Sequence, residues 1–250
     1  MTLSSKLQRK KFDQVYDDLV IDAGFCEFPD YYGVARERYW RSLELLVKMG
    51  LSETDKVVEF GGGQMAIILS KLFGMDCTVA DINDSFRGPV DQAGLPFAVG
   101  NIANDPPIDN SPNKYDMVIL LEVIEHIPEP PYVTMRKLKS ILSAKGGLFM
   151  TTPNLFRLRN TARMILGRDF LGRFMQAEPG VGLGHQMEYS LEHMRWQINN
   201  AGFEIDSICH DQLGVVGHST SARIARALLS PLQLRDVWKE ELVAMARLPG

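Results

Sequence analysis

The stretch that decides the fold is VVEFGGGQMAIILSKLFGMDCTVADIND, residues 57–84. It opens on an apolar, β-branched run, Lys56–Phe60, which breaks into the three glycines Gly61–Gly63 and then into a helical pattern. A second short apolar run, Cys77–Ala80, follows that helix and ends at Asp81. This order predicts a strand, a tight glycine turn, a helix and a second strand, which is how a parallel α/β sheet begins.

Five further apolar runs predict the rest of the sheet. They are Phe97–Val99, Met117–Leu121, Gly147–Thr151, Phe203–Cys209 and Leu242–Arg247. Helices between the runs, among them Tyr132–Leu142 and one that Ser190 caps and Gly202 ends, would cover both faces of the sheet. The sequence therefore predicts an α/β protein with a doubly wound, Rossmann-like sheet of seven strands, mostly parallel, with an antiparallel last strand and helices on both faces.

The order of the predicted helices and strands indicates one main domain with an N-terminal extension and an inserted segment. Residues 1–50 are expected to form a helical N-terminal extension or lid, because Arg36–Met49 carries apolar residues at helical spacing and Gly50 follows. Residues 51–250 would form the ligand-binding domain, with an inserted lid segment at about 155–188. A short helix is expected around Ala222–Leu229.

Composition excludes several classes of protein. The chain has 250 residues, with 27 Lys and Arg against 31 Asp and Glu, and a net charge of −4 argues against a general nucleic-acid binder. Cys26, Cys77 and Cys209 are isolated, so neither a disulfide framework nor a cysteine zinc site is predicted. No apolar run approaches the roughly 18 residues of a membrane span. We expect a soluble, cytoplasmic protein.

The glycine turn predicts a ligand. Glycines let the backbone approach a bound group closely, and a helix N-terminus presents free N–H groups to it. Asp81 lies 20 residues after Gly61 at the end of the next strand, where a carboxylate can accept hydrogen bonds from ribose hydroxyls. A cofactor that contains a nucleoside is therefore expected, although a bare tight turn with a capping Asp81 is the simpler alternative.

Two cofactors compete for this pattern. Gly61, Gly63 and Ala66 fit the dinucleotide fingerprint G-x-G-x-x-A, which leaves an NAD-dependent oxidoreductase as an alternative. Glu59 argues against it, because a carboxylate two residues before the first glycine would repel a pyrophosphate but attract the ammonium group of a methionine moiety.

The chain resembles the class I S-adenosylmethionine-dependent methyltransferases over about residues 40–210. The motifs that carry the resemblance are, in order, EFGGG, ADIND, VGNI and YDMVILLEVIEH, and the chain is most similar to the group that reads EVIEH after the fourth strand. TTPN at 151–154 and the stretch 184–205 also resemble members that act on sugars, glycans or related small molecules. The resemblance implies S-adenosylmethionine as cofactor and S-adenosylhomocysteine as product.

The resemblance also assigns residues to the cofactor. They are Glu59, Gly61, Gly62 and Gly63 at the methionine end, Asp81 at the ribose, Ile82, Asn101 and Ile102 at the adenine, and Leu121 and Glu122 closing the site. Met65 stands where members often carry a third glycine, and Asn101 replaces a commoner Asp. The turn is thus expected to hold the cofactor somewhat differently.

Two histidines are candidates for catalysis. His126 follows the fourth strand, and His185 lies in the loop VGLGH beside Glu188. A hydroxyl acceptor must lose its proton as the methyl bond forms, so we expect His185, or failing that His126, to be the general base of an O-methyl transfer. No metal site is predicted, because no histidine pair has ligand spacing with a third donor. Glu125 is expected to be a solvated charge at a helix start.

The segment 155–173 bears on the methyl acceptor. It contains five arginines against one aspartate, and its apolar residues share one face of a helix. It is either a solvated basic helix covering the active site or an electropositive lid that receives an anionic acceptor or rests weakly on a membrane bearing one. A non-catalytic protein that only binds the cofactor is the third functional alternative, and the sequence leaves the oligomeric state open.

Overall fold

The computed structural model describes residues 3–25, 31–108, 114–171, 184–213 and 235–250. Its seven-stranded sheet has the order β3-β2-β1-β4-β5-β7-β6. The strands are β1 (Val57–Phe60), β2 (Cys77–Asp81), β3 (Phe97–Val99), β4 (Tyr115–Leu121), β5 (Leu142–Pro153), β6 (Glu204–Asp211) and β7 (Glu241–Arg247). β7 is antiparallel to β5 and β6, whereas every other adjacent pair is parallel. The predicted sheet, including its antiparallel last strand, is confirmed.

Helices cover both faces of this sheet. They are α1 (Leu3–Lys6), α2 (Arg9–Tyr16), α3 (Tyr31–Lys48), α4 (Gln64–Phe73), α5 (Arg87–Gln92), α6 (Pro131–Leu138), α7 (Leu158–Ile165) and α8 (Leu191–Ala201). A π-helical segment, Asp17–Ile21, follows α2. Single 3-10 turns lie at Ile124–His126, Lys139–Ile141 and Asp236–Trp238. Within the described ranges, no helix has the length and apolar character needed to cross a bilayer.

Alternate residues of the central strands pack into two separate hydrophobic cores, one on each face of the sheet. Val57 and Ile119 pack with the N-terminal helices and α4, whereas Val58 and Leu120 pack with α6 and α8 on the other face. Successive side chains of a strand point to opposite faces, so a strand covered on both sides must be apolar throughout. This explains why the strands read as unbroken apolar runs.

One predicted boundary is wrong. The helix expected over Tyr132–Leu142 ends at Leu138, and Leu142 is already the first residue of β5, where it pairs with Tyr115 of β4. Pairing in the sheet has overridden the helical spacing of the apolar residues. The helix expected at Ala222–Leu229 lies outside the described residues, as does part of the expected lid.

The topology places three strand ends at one edge. β1 pairs in parallel with β2 on one side and with β4 on the other, so Phe60, Asp81 and Leu121 end at the same edge of the sheet. The strand order reverses between β1 and β4, and in open α/β sheets ligands bind outside the carboxyl ends of the strands at such a point. The residues predicted to bind the cofactor converge there.

Candidate functional site

The glycine turn between β1 and α4 can be built only from glycines. Gly61, Gly62 and Gly63 have φ of 86°, 101° and 103°, a region that residues with a side chain rarely adopt. A Cβ on Gly63 would lie 2.6 Å from the Val79 side chain, and one on Gly61 would lie 2.8 Å from the Val123 side chain. The turn therefore runs close against β2 and the segment after β4, and it presents the start of α4 at the ligand edge.

Glu59 is directed into the protein interior, where it contacts the first turn of α4. Its side chain is buried, and Oε2 accepts a hydrogen bond of 2.6 Å from the Ala66 N–H in the first turn of α4. Burial raises the pKa of Glu59 to about 8, although the N–H groups of Ala66 and Met65 oppose the rise. Oε1 has no hydrogen-bond partner among the described residues, so one oxygen remains for the predicted ammonium contact.

Asp81 ends β2 next to the turn, as predicted. Its Oδ2 lies 3.3 Å from the Gly62 N–H donor and its Oδ1 lies 3.3 Å from that of Asn83. Burial raises its pKa, against the effect of these N–H groups. The next residue, Ile82, is 52% exposed, which is unusual for a large apolar side chain at the edge of a core. A carboxylate and an exposed apolar surface thus lie side by side.

The third strand contributes less directly. Asn101 is half-buried, and its Oδ1 accepts a 2.9 Å hydrogen bond from the Ala103 N–H, so part of its side chain shapes its own loop. Ile102 is buried with Phe60 and Ala80 in one of the two cores. Both residues lie after β3 at the ligand edge, but Ile102 acts there mainly as a packing residue.

Leu121 ends β4 beside the turn, and Glu122 follows it. Glu122 has φ of 56° and is the one non-glycine residue with positive φ in the described part of the chain. Its Oε1 accepts a 2.8 Å hydrogen bond from the Thr151 hydroxyl, and its Oε2 lies 3.6 Å from Nη1 of Arg38. Backbone strain of this kind persists only where the surroundings hold it, and it is concentrated at functional sites.

The N-terminal helices contact the site directly. Arg38 of α3 reaches Glu122, and the hydroxyl of Tyr39 donates a 3.1 Å hydrogen bond to Oε1 of Gln64, the first residue of α4. Nε2 of Gln64 in turn donates to the hydroxyl of Tyr32 at 3.0 Å. Sequence reasoning missed these contacts, and their one signal was the polar and aromatic character of YYGVARERYW in an otherwise apolar helix.

The two catalytic candidates form one cluster. The rings of His126 and His185 lie 4.9 Å apart with an edge-to-face angle of 81°. A backbone hydrogen bond and a side-chain contact hold their segments together: Gln186 N–H donates to the Glu125 carbonyl at 2.7 Å, and Nδ1 of the His126 ring lies 3.3 Å from the Gly184 carbonyl. The structure therefore brings together two residues that the sequence offered as alternatives.

A buried carboxylate stands behind His185. Nδ1 of His185 lies 3.3 Å from Oε1 of Glu188, and Glu188 also binds Arg157 and the side-chain amide of Asn160. Burial would raise the pKa of Glu188, but the hydrogen bonds from His185 and Asn160 and the charge of Arg157 lower it. Arg157 is itself buried, so this member of the predicted basic face belongs to the interior.

The expectation for Glu125 is wrong. It is fully buried, and its Oε2 accepts a 3.0 Å hydrogen bond from the Thr152 hydroxyl. Burial and the nearby Glu122 raise its pKa well above the ordinary value. The cause is the 3-10 turn after β4, which folds back on β5 instead of opening a helix in solvent. Glu125, His126 and His185 then offer three ligand atoms within 4.8 Å of one another, a grouping that linear spacing did not reveal.

Comparison with known proteins identifies the family. Residues 33–208 match the family model described as a methyltransferase domain. The chain belongs to this methyltransferase family. It is of the class I, S-adenosylmethionine-dependent type, and this membership favours S-adenosylmethionine over NAD as the cofactor. A curated relative, the ubiquinone biosynthesis O-methyltransferase of Methylococcus capsulatus, is 28% identical over 120 residues, which are 46% of this chain and 49% of the relative. The chain thus matches about half the length of that curated relative.

Solved methyltransferase structures share the fold. A Haloferax volcanii complex of the Trm112 methyltransferase activator with a methyltransferase is similar at a TM-score of 0.61 and 15% identity, covering 98% of this chain and 100% of that one. The magnesium protoporphyrin IX methyltransferase of Synechocystis, solved with bound S-adenosylhomocysteine, is similar at a TM-score of 0.54 and 16% identity, covering 96% and 94%. At these identities the likeness concerns the fold alone.

Proposed function

We propose that this methyltransferase transfers the methyl group of S-adenosylmethionine to a hydroxyl oxygen of a small-molecule or glycan-type acceptor. The observation that carries the proposal is the paired arrangement of His126, in the turn after β4, and His185, in the loop before α8, with their rings 4.9 Å apart. The curated relative named as an O-methyltransferase also supports oxygen as the acceptor atom.

The residues at the ligand edge fit the cofactor. The glycine turn offers backbone N–H groups, Asp81 offers a carboxylate for two ribose hydroxyls, and exposed Ile82 offers an apolar face for the adenine. The orphan oxygen of Glu59 would attract the ammonium group of the methionine moiety, and Glu122 would close the site. When bound, the cofactor supplies a methyl group that its sulfonium already activates.

His185 is the base that we propose. The Glu188 carboxylate at Nδ1 favours the tautomer that carries its proton there, which leaves the Nε2 lone pair to accept a proton from the acceptor hydroxyl. The oxygen–carbon bond then forms while the sulfur–carbon bond breaks, and the proton stays on the imidazole until solvent removes it. His126 is the substitute if His185 proves dispensable.

The chain covers this site with its own segments. We propose that the helices before residue 50 form the lid over the cofactor, because Arg38 contacts Glu122 and Tyr39 contacts the first residue of α4. The insertion at about 155–188 would cover the acceptor side, since it supplies His185 and Glu188. Excluding water favours methyl transfer to the acceptor over side reactions.

The surface of α7 and the residues directly after it support the proposal of an anionic acceptor. Arg159, Arg163 and Arg168 are exposed along this segment, and beside them the apolar Ile165 and Leu166 are 80% and 65% exposed. Neighbouring arginines and exposed apolar side chains are typical of segments that rest on an anionic membrane surface. We propose that α7 makes a weak peripheral contact with a surface that carries the acceptor.

The test is the release of S-adenosylhomocysteine with phosphorylated and nucleotide-linked sugars and with hydroxylated lipids as acceptors. His185→Gln is expected to lower turnover by about 10²–10⁴-fold, the usual contribution of a general base, with cofactor affinity unchanged. His193→Gln in α8, whose ring contacts Gln197, is the matched control. Cofactor binding without release on any acceptor would favour a non-catalytic protein, and unchanged turnover in both His185→Gln and His126→Gln would exclude a histidine base.

A further inference from the structure

We propose that Glu125, His126 and His185 bind a divalent transition-metal ion. These three side chains offer one carboxylate oxygen and two imidazole nitrogens that all lie within 4.8 Å of one another. They come from two segments, the turn after β4 and the loop before α8. A backbone hydrogen bond from the Gln186 N–H to the Glu125 carbonyl joins these two segments. The backbone of the folded chain therefore holds the three side chains close to one another.

Glu125 supplies a second and independent observation. It is fully buried, yet its Oε1 has no hydrogen-bond partner among the described residues, while Oε2 is held by Thr152. A buried carboxylate oxygen without a partner is costly, and in native proteins such groups are paired or coordinate a metal. That same Oε1 lies 3.8 Å from Nε2 of His126, so the orphan atom points into the cluster.

The outer contacts of both imidazoles are those of metal-bound histidines. Nδ1 of His126 lies 3.3 Å from the Gly184 carbonyl, and Nδ1 of His185 lies 3.3 Å from the Glu188 carboxylate. A metal-ligating histidine almost always donates its other ring N–H to a carbonyl or carboxylate, which fixes the tautomer and orients the ring. In His185 the nitrogen on the side of the cluster is then Nε2, and in His126 Nε2 is the ring nitrogen that lies 3.8 Å from Oε1 of Glu125.

The donor set selects the kind of ion. Two imidazoles and one carboxylate suit Zn²⁺, Mn²⁺, Fe²⁺ or Co²⁺, whereas Mg²⁺ and Ca²⁺ prefer oxygen ligands. Metal bonds of about 2.1 Å place ligand atoms about 3–3.5 Å apart. The ligand atoms here are 3.8 Å apart between Glu125 and His126 and within 4.8 Å across the cluster, so binding would draw the three side chains together. Three protein ligands also leave coordination positions open for a substrate.

The consequence for the reaction rests on the proposed function. An acceptor hydroxyl bound to the ion would have a lowered pKa and release its proton to solvent, and its oxygen would then attack the methyl carbon as the sulfur–carbon bond breaks. With the ion bound, the two imidazoles would act as ligands, and the ion would take over the activation of the hydroxyl that we propose for His185 in the metal-free site. The binding site itself needs neither cofactor nor acceptor, so it can be tested apart from the methyl transfer.

The experiment is a titration of the untagged chain with Co²⁺ after treatment with a chelator, followed by visible absorption and calorimetry. We expect one ion per chain, a ligand-field band, and displacement by Zn²⁺. His126→Gln, His185→Gln and Glu125→Gln should each abolish the band, and Glu188→Gln should weaken binding by about 10–100-fold. His193→Gln, another histidine of the same region, should bind Co²⁺ like the wild type.

Three outcomes would overturn the proposal: no binding at one ion per chain, a band that survives all three ligand substitutions, or a thiolate charge-transfer band, which would place the ion on a cysteine. Glu125→Gln keeps the contact to Thr152 and removes a buried carboxylate, so without metal it should melt no lower than the wild type. A folded Glu125→Gln chain that still binds Co²⁺ as tightly would therefore count against the site. Metal binding by a chain that fails to bind S-adenosylmethionine would leave the site intact and overturn the proposed function.

Discussion

Nδ1 of His185 lies 3.3 Å from Oε1 of Glu188, and Glu188 is held from the other side by Arg157 and Asn160. The imidazole is thus oriented by a carboxylate that is itself fixed by two buried partners. A half-exposed loop histidine gains a single ring orientation in this way.

We expect Glu188→Gln to lower turnover by about 10–100-fold, because the histidine loses the carboxylate that orients its ring. It should also lower the free energy of unfolding by about 1–3 kcal/mol, because buried Arg157 loses a charged partner. Steady-state kinetics and urea unfolding measure the two effects. Glu192→Gln, on the exposed side of α8, is the control. Equal turnover in both variants would show that the ring needs no orienting partner.

Asp81→Asn should weaken the binding of S-adenosylhomocysteine by about 10–100-fold, the cost of about 1.5–3 kcal/mol for hydrogen bonds to a charged group. The single asparagine oxygen can still accept from the Gly62 N–H, which preserves the contact to the turn, but the contact with the Asn83 N–H is lost. Calorimetry with the wild type and with Asp84→Asn, an exposed aspartate of the same loop, supplies the comparison. Unchanged affinity in Asp81→Asn would place the ribose elsewhere.

Gly63→Ala should destabilise the fold by more than about 1 kcal/mol, because its φ of 103° is strained for alanine and the new Cβ would lie 2.6 Å from Val79. Gly88→Ala is the matched control: it lies inside α5, where a Cβ meets nothing within 4 Å. That change should be neutral or stabilise by up to about 1 kcal/mol. Urea unfolding of the two variants should therefore give opposite signs, and two equal values would contradict the role assigned to the turn.

Glu59 should make stability depend on pH. Its pKa rises from 4.5 to about 8 on folding, so between these values the folded chain holds a proton that the unfolded chain has lost. The contribution of Glu59 to the free energy of unfolding is therefore largest below pH 4.5 and falls as the pH rises towards about 8. The carboxyls and thiol around it, including Cys77, titrate as well, so the test is a difference between variants.

Glu59→Gln removes this dependence, and without cofactor it should gain stability relative to the wild type by a few kcal/mol between about pH 5 and pH 8. Chemical unfolding at both pH values measures the gain. Glu204→Gln, at an exposed position of β6, should track the wild type at both. A constant difference between Glu59→Gln and the wild type would show that Glu59 ionises normally in the fold.

The apolar face of α7 should bind anionic vesicles. Ile165→Ser with Leu166→Ser should reduce sedimentation with vesicles that contain phosphatidylglycerol, and added salt should reduce that of the wild type, because exposed arginines contribute. Trp196→Ser removes an apolar side chain of similar exposure on α8 and should leave vesicle binding unchanged. Binding that ignores both salt and the double substitution would assign α7 to another role.

The central strands of the sheet were predictable because they are buried on both faces. Runs such as Met117–Leu121 cannot alternate with polar residues when both faces are covered, so their position and order could be read along the chain. The positions of Gly61–Gly63 and Asp81 were also predictable, because a glycine turn and the end of a strand are determined by neighbouring residues in the sequence.

The acceptor side depended on contacts between distant segments, which local pattern does not contain. Glu125 looked like a helix-start charge, but the turn after β4 folds onto β5 and buries it against Thr152. The polar and aromatic stretch around Arg38 did not identify its partner, because Glu122 lies on another element. The roles of His126 and His185, as general base or as metal ligand, depend on the same contacts between distant segments.

Among the described strands, β6 pairs with β7 alone, and β7 lies between β6 and β5 although it follows both in the chain. During synthesis, α8 and β6 therefore leave the ribosome well before β7, the strand that joins β6 to the rest of the sheet. Until β7 emerges, β5 exposes an unpaired edge, and such edges recruit other chains into aggregates. The methyltransferase should accordingly be most vulnerable to misassembly in the interval between the synthesis of β6 and that of β7, when β1–β5 have already been made.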